Sequence, residues 1–324
     1  MLIFPDYHND MNDILLILNK IFPVLVFLFL GSLFRQIQLL KKETIDDLKK
    51  FIVNVSLPAV LFVSFLNTTI ELRYLVLMIV MFLLCVVLLV IAKRFYHRKG
   101  TRYIPFLFTG FEFGMLGISL FASAYGMDAI GPIAIIGIGH EFFIWFVYLT
   151  FLLKENEKAT SAKSLLRSFF TSPVILAILS SVLLNLLGLR QSISNLFFSE
   201  GLFTSLEWLL NLTPPIILII VGYEIHFSKK TMKESAKLVL MRILLILPFG
   251  LFISFFIVHK LLGLTLNFQI ALWTFLLLPP PFILPLYMPP GFDNEKSLIN
   301  NTLFLNTIIS IVLFIVLFAF FPVL

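Results

Sequence analysis

Ten long apolar stretches run along the chain, separated by short polar connections. They fall at roughly 12–35, 45–67, 72–95, 103–126, 128–153, 165–189, 201–227, 234–261, 266–290 and 296–322. A helix crossing the bilayer needs about 20 mostly apolar residues, so each stretch predicts one span. The expected fold class is an all-α polytopic membrane protein with ten transmembrane helices. No connection is long enough to hold a soluble domain, so the function is expected within the membrane. One stretch breaks the rule of continuous helices: Leu276–Pro290 reads LLLPPPFILPLYMPP. Proline has no backbone N–H and its ring strikes the carbonyl one turn back, so three in a row cannot lie inside a regular helix. Apolar sequence continues on both sides, and broken backbone at membrane depth is tolerated only where it is buried or lines a cavity.

The pattern also repeats. Span 2 contains Asn54-Val55-Ser56-Leu57-Pro58, and span 7 contains Asn211-Leu212-Thr213-Pro214-Pro215. Span 1 has Pro23 with Gly31 eight residues on, and span 6 has Pro173 with Ser181 eight residues on. The offset is five spans, and an odd offset inverts the second half relative to the first. The predicted division is a first five-span repeat over 1–153, a cytoplasmic linker over 154–164, and an inverted repeat over 165–324. By the same offset, the proline-broken span 9 pairs with span 4. That span carries Gly110, Gly114 and Gly117 in TGFEFGMLGIS, where glycine permits an interruption by another route.

Composition sharpens the class. Of 324 residues, 60% are hydrophobic and 13% charged, against about a quarter charged in a soluble domain. Mean hydropathy is +1.03. The net charge of +6 does not imply nucleic acid, because the basic residues cluster between apolar spans. Arg35, Lys41, Lys42, Lys49 and Lys50 follow span 1; Lys93, Arg94, Arg98, Lys99 and Arg102 follow span 3. Lys154, Lys158, Lys163 and Arg167 follow span 5, Lys229, Lys230, Lys233, Lys237 and Arg242 follow span 7, and Lys296 follows span 9. Lys20, Arg73, Arg190 and Lys260 alone lie on the other side. The positive-inside rule makes the first set cytoplasmic and leaves both termini extracytoplasmic. The N-terminal Met1–Asp13 has three Asp and no Lys or Arg, unlike a cleaved signal peptide. Cys85, the single cysteine, excludes an intrachain disulfide.

Ionisable residues deep in a span are costly and face a cavity or a partner. Glu112 lies at the proposed interruption of span 4, beside Gly114 and Gly117. It is expected to be a proton or cation site, against the alternative of a hydrogen-bonded structural carboxyl. His140 and Glu141 in span 5 are a second candidate; neighbours in a helix point about 100° apart, so both cannot face one spot. Asn54 and Asn211 offer donor and acceptor to a site, or else cap groups freed by Pro58 and Pro215. Pro280, Pro281 and Pro285 mark the span 9 break. No Arg or Lys is expected in a span core, so an anionic substrate would rely on the N-termini of broken helices. There is no phosphate-binding glycine loop, no Cys/His metal constellation and no Ser–His–Asp arrangement. An enzyme is not expected, and no cofactor beyond a coupling proton or sodium ion.

On these residues the chain resembles the auxin efflux carrier family, in its bacterial permease branch. The resemblance covers essentially the whole length. It rests on FPVLVFLFLGSLFR (22–35), FIVNVSLPAVLF (51–62) and GFEFGMLGISLFASAYG (110–126). TSPVILAILSSVLLNLLGL (171–189), LTPPIILIIVGYEI (212–225) and the proline-rich span 9 complete it. It implies two inverted five-span repeats whose broken spans 4 and 9 cross at mid-membrane. It also implies a scaffold of spans 1, 2, 6 and 7, a mobile part from the others, and a homodimer through the scaffold. Family substrates are small organic anions: auxins in plants, dicarboxylates such as malate or malonate in bacteria. Two departures fall at the site. An Asn and a Pro are typical of the family's span 4, where this chain has Glu112 and Ser119. In span 9 the family's Pro is followed by small polar residues, and here by Phe282 after Pro279–Pro281.

The expected function is therefore secondary transport of a small mono- or dicarboxylate across the plasma membrane by alternating access, with proton coupling through Glu112. The alternatives are a sodium-coupled carrier similar to the bile-acid symporters and a membrane ligand sensor that does not transport.

Overall fold

The computed structural model describes residues 11–67, 71–96, 101–155, 167, 170–189, 197–224, 231–289 and 291–322. Most of the expected linker 154–164 and the ten N-terminal residues lie outside them. The described residues form helices and connections without a strand. In chain order the helices are α1 (Met11–Gln36), α2 (Lys42–Leu66), α3 (Leu72–Tyr96) and α4 (Ile118–Tyr125). They continue as α5 (Gly131–Glu155), α6 (Pro173–Leu186) and α7 (Ser199–Glu224). The last are α8 (Met232–Leu261), α9 (Leu266–Leu277) and α10 (Asp293–Phe320). Six of them, α2, α3, α5, α7, α8 and α10, are long and apolar enough to cross a membrane. Over Phe22–Gln36 α1 is a shorter apolar helix, as are α6 and α9. The chain is thus an all-helical protein compatible with several membrane crossings.

Helix ends follow the local chemistry. α9 stops at Leu277 because Pro279, Pro280 and Pro281 cannot continue it. α6 begins at Pro173, which suits a first turn whose N–H has no partner anyway. Pro23, Pro214, Pro215 and Pro248 instead lie inside α1, α7 and α8 without ending them. Where 103–126 was expected as one span with an interruption, a tight 3-10 turn over Ile104–Phe108 leads to extended residues and a wide π-type turn over Phe113–Gly117, then α4.

The most extensive contacts pair α1 with α7, α2 with α6 and with α7, and α3 with α5; α8 packs on α10. Glycine sets the closest of them. A Cβ on Gly31 would overlap Ile219 O, and one on Gly222 would overlap Leu28 O, so α1 and α7 touch backbone to backbone. Gly139 does the same for α5 against Met78 O of α3. At the ends of these pairs, Arg35 donates to Tyr223 O (3.1 Å), joining α1 to α7. Asn185 donates to Phe65 O and Leu66 O (2.9 and 3.0 Å), joining α6 to α2.

Candidate functional site

The two interrupted stretches meet. Residues 109–112 before α4 run beside 278–282 after α9, and the Glu112 N–H donates to Pro279 O at 2.8 Å. Gly110 has φ +67°, a conformation that side chains disfavour, and a Cβ there would lie 2.8 Å from the Pro281 ring. Gly117 packs on Leu278, and Gly114 lies against Leu57 of α2, next to Pro58. The proline run is buried through Pro281, with Pro285 half-buried beyond it.

Interrupting two helices frees backbone groups that the apolar surroundings cannot solvate. Side chains take them up. The Glu112 Oε2 accepts the Phe282 N–H at 2.6 Å, so this carboxylate of one break binds a donor of the other. His140, 2% exposed on α5, accepts the Phe111 N–H at Nε2 (2.9 Å). With Nε2 an acceptor, the neutral imidazole carries its proton on Nδ1. That atom lies 3.5 Å from Glu141 Oε1 without a hydrogen bond. The ring packs among Phe111, Phe113 and Phe275. The Thr109 hydroxyl donates to Cys85 O of α3 at 2.6 Å.

Arg242 corrects the expectation that no cation lies in a span core. It follows Lys233 and Lys237 in sequence and reads as one cluster with them, but it sits ten residues inside α8 and is 2% exposed. Its Nη1 donates to Leu107 O (2.7 Å), and its Nη2 to Gly110 O (2.8 Å) and Leu278 O (3.3 Å). One guanidinium therefore clamps carbonyls from both breaks, with the Phe111 ring 4.9 Å from its centre. Three successive prolines offer carbonyls and no N–H, so the crossing has surplus acceptors, and Arg supplies donors only. The charges also suit the helix ends: Arg242 lies at the C-terminus of α9, and Glu112 immediately precedes the turn that opens α4. The sequence signal was an Arg eight residues inside a stretch expected from 234, the same depth criterion that singled out Glu112.

The other expected residues lie elsewhere. Asn54 is exposed and donates its side-chain amide to Lys50 O one turn back at 2.7 Å. Asn211 is exposed on α7, and Pro58 and Pro215 are half-buried within their helices. Glu141 borders, through its apolar atoms, a cavity of about 160 Å³ between α2, α3, α5 and α6 that is lined by groups of residues such as Tyr74 and Ile178. Among the described residues no cluster of three His, Cys, Asp or Glu is placed to hold a metal ion. No family model matches the chain, and no curated protein matches it. What it does must be argued from the crossing itself.

Proposed function

We propose that the chain is a secondary active transporter of the auxin efflux carrier family, moving a small organic anion across the plasma membrane by alternating access. In this reading it has ten spans in two inverted repeats, 1–153 and 165–324, with both termini outside. The observation that supports it most is the crossing. Broken helices packed against each other, their freed backbone groups held by Glu112, His140 and Arg242, are what a midplane solute site is built from.

The helix pairing favours the repeat. Exchanging each helix with the one five places on turns the α1–α7 pair into α6–α2 and α3–α5 into α8–α10, and it maps the α2–α7 contact onto itself. A hydrogen bond is repeated with them. Arg35 lies twelve residues after Pro23, and Asn185 twelve after Pro173. Their acceptors, Tyr223 and Leu66, lie twelve after Asn211 and Asn54. The broken spans are not copies, since the longer helical half follows the break at α4 and precedes it at α9.

Glu112 couples proton and anion in this mechanism. Ionised, it holds the Phe282 N–H that a substrate carboxylate would otherwise take, and it repels that carboxylate. A proton on Glu112 removes the repulsion and releases the donor. The sodium-coupled alternative is less favoured, because Arg242 already bonds three of the carbonyls that a sodium ion would need. The test is charge movement by the purified protein in liposomes, across mono- and dicarboxylates, at acidic and neutral pH, with and without sodium. A pH-dependent signal for one carboxylate that loses its pH dependence in Glu112→Gln is the expected result. Unchanged pH dependence in the variant sinks the coupling role. Silence with every carboxylate on folded protein discards the anion assignment and leaves the ligand sensor as the better reading.

A further inference from the structure

Arg242 has a second face that the crossing does not use. Between α8, α9 and α10 lies a cavity of about 40 Å³ whose polar lining is Arg242, Asn306 and Ser310, walled by apolar groups including Ile246, Leu276 and Trp273. All three polar residues are buried, at 2%, 3% and 2% exposure. A water takes roughly 10–15 Å³ on this measure, so the cavity suits a group of a few heavy atoms.

Several donors in the lining have no acceptor. A guanidinium has five N–H groups. Three are engaged by carbonyls, leaving the Nε–H and one on Nη1. The carbonyls are neutral, and among the described residues no carboxylate is within ion-pair distance of Arg242. Its charge is thus buried without a counter-ion, which is costly. Asn306 adds to the imbalance. Its Oδ1 accepts the Ser310 hydroxyl at 3.2 Å, while its buried Nδ2 has no acceptor.

We propose that this cavity is a binding site for a small monovalent anion of chloride size, held by Arg242 and the Asn306 amide. The anion neutralises the guanidinium that clamps both breaks and so stabilises the crossing. The volume suits a single small ion better than a dicarboxylate, so the site is distinct from one that would carry a dicarboxylate. Its apolar walls favour weakly hydrated ions: chloride, bromide and nitrate over fluoride, with sulfate rejected for size and charge.

The test uses the full chain in nanodiscs of neutral lipid, exchanged into gluconate and titrated with each halide at constant ionic strength. The expected result is a saturable rise in the thermal midpoint, roughly 5 °C at a hundredfold excess over Kd, with chloride or bromide but not sulfate. In Asn306→Leu, which leaves Arg242 in place, the half-saturating concentration should rise at least about tenfold. Ser310→Ala, which frees Asn306 Oδ1, should raise it by a smaller factor and stands in if the leucine variant does not fold. Trp273 gives an independent signal: in a Trp145→Phe, Trp208→Phe background, bromide should quench its fluorescence over the same range. A wild-type midpoint equal in chloride and gluconate overturns the proposal, as does a rise that is unsaturable or identical in both variants.

Discussion

Three consecutive prolines and one left-handed glycine explain why an acid, a base and a cation gather at a single point. Each break strands backbone groups, and the side chain that serves each group is dictated by its polarity. The surplus carbonyls draw Arg242, the Phe111 N–H draws His140 Nε2, and the Phe282 N–H draws Glu112. His140 tests this logic. His140→Leu fills the space but leaves the Phe111 N–H buried and unpaired, an expected loss of about 1–3 kcal/mol. His140→Gln keeps an acceptor and should lose less. Thermal midpoints of the two variants decide it, and equal losses would mean that the ring's packing on Phe111, Phe113 and Phe275 matters more than its nitrogen. At this scale Glu112 was legible because depth in an apolar stretch is visible in sequence. Arg242 met the same criterion, but its neighbours Lys233 and Lys237 made it read as part of a loop cluster. Asn54 left both of its readings open: an amide near a proline has a local partner available, here Lys50 O, and composition does not distinguish that use from a site.

Among elements, the helix positions were largely legible and their closest contacts were not. Apolar runs and prolines mark where helices lie and where α9 must end. The wide turns over Ile52–Ser56, Phe113–Gly117, Ile144–Tyr148 and Ile253–Leu261 have no residue signature, since an extra residue per turn changes geometry without requiring a particular side chain. Glycine acquires its meaning only from its neighbour. Gly222 and Gly201 both lie in α7 and look alike in sequence, yet a Cβ on Gly222 overlaps Leu28 O while one on Gly201 meets nothing. Gly222→Val should therefore cost at least about 3 kcal/mol by forcing α1 from α7. Gly201→Val should stay within about 0.5 kcal/mol. Thermal melts of both, beside wild type, measure the difference, and equal midpoints would contradict the backbone contact between α1 and α7.

At the level of the whole molecule, the helices divide into α1, α2, α6 and α7 on one hand and α3, α5, α8 and α10 on the other, with the broken segments between them. The order of apolar runs made an all-helical membrane protein legible, whereas the pairing of α1 with α7 and α2 with α6 joins residues too far apart in sequence for local pattern to register. In the transporter reading, alternating access requires one part to shift against the other, and Gly114 against Leu57 is a contact at which to stop it. Gly114, in the turn that opens α4, would place a Cβ 3.1 Å from the Leu57 side chain of α2. A Leu57→Cys, Gly114→Cys pair, in a Cys85→Ala background, should tie the crossing to α2 once oxidised. Flux should stop on oxidation and return with reductant. A second pair, Leu66→Cys with Asn185→Cys, links α2 to α6 within one part, where Asn185 already bonds Leu66 O, and should leave flux unchanged. If the first crosslink forms quantitatively and flux persists, the parts do not move against each other at this contact, and a rocking or sliding mechanism about the crossing is wrong. If the second crosslink alone stops flux, the moving boundary runs between α2 and α6, and the scaffold must be redrawn.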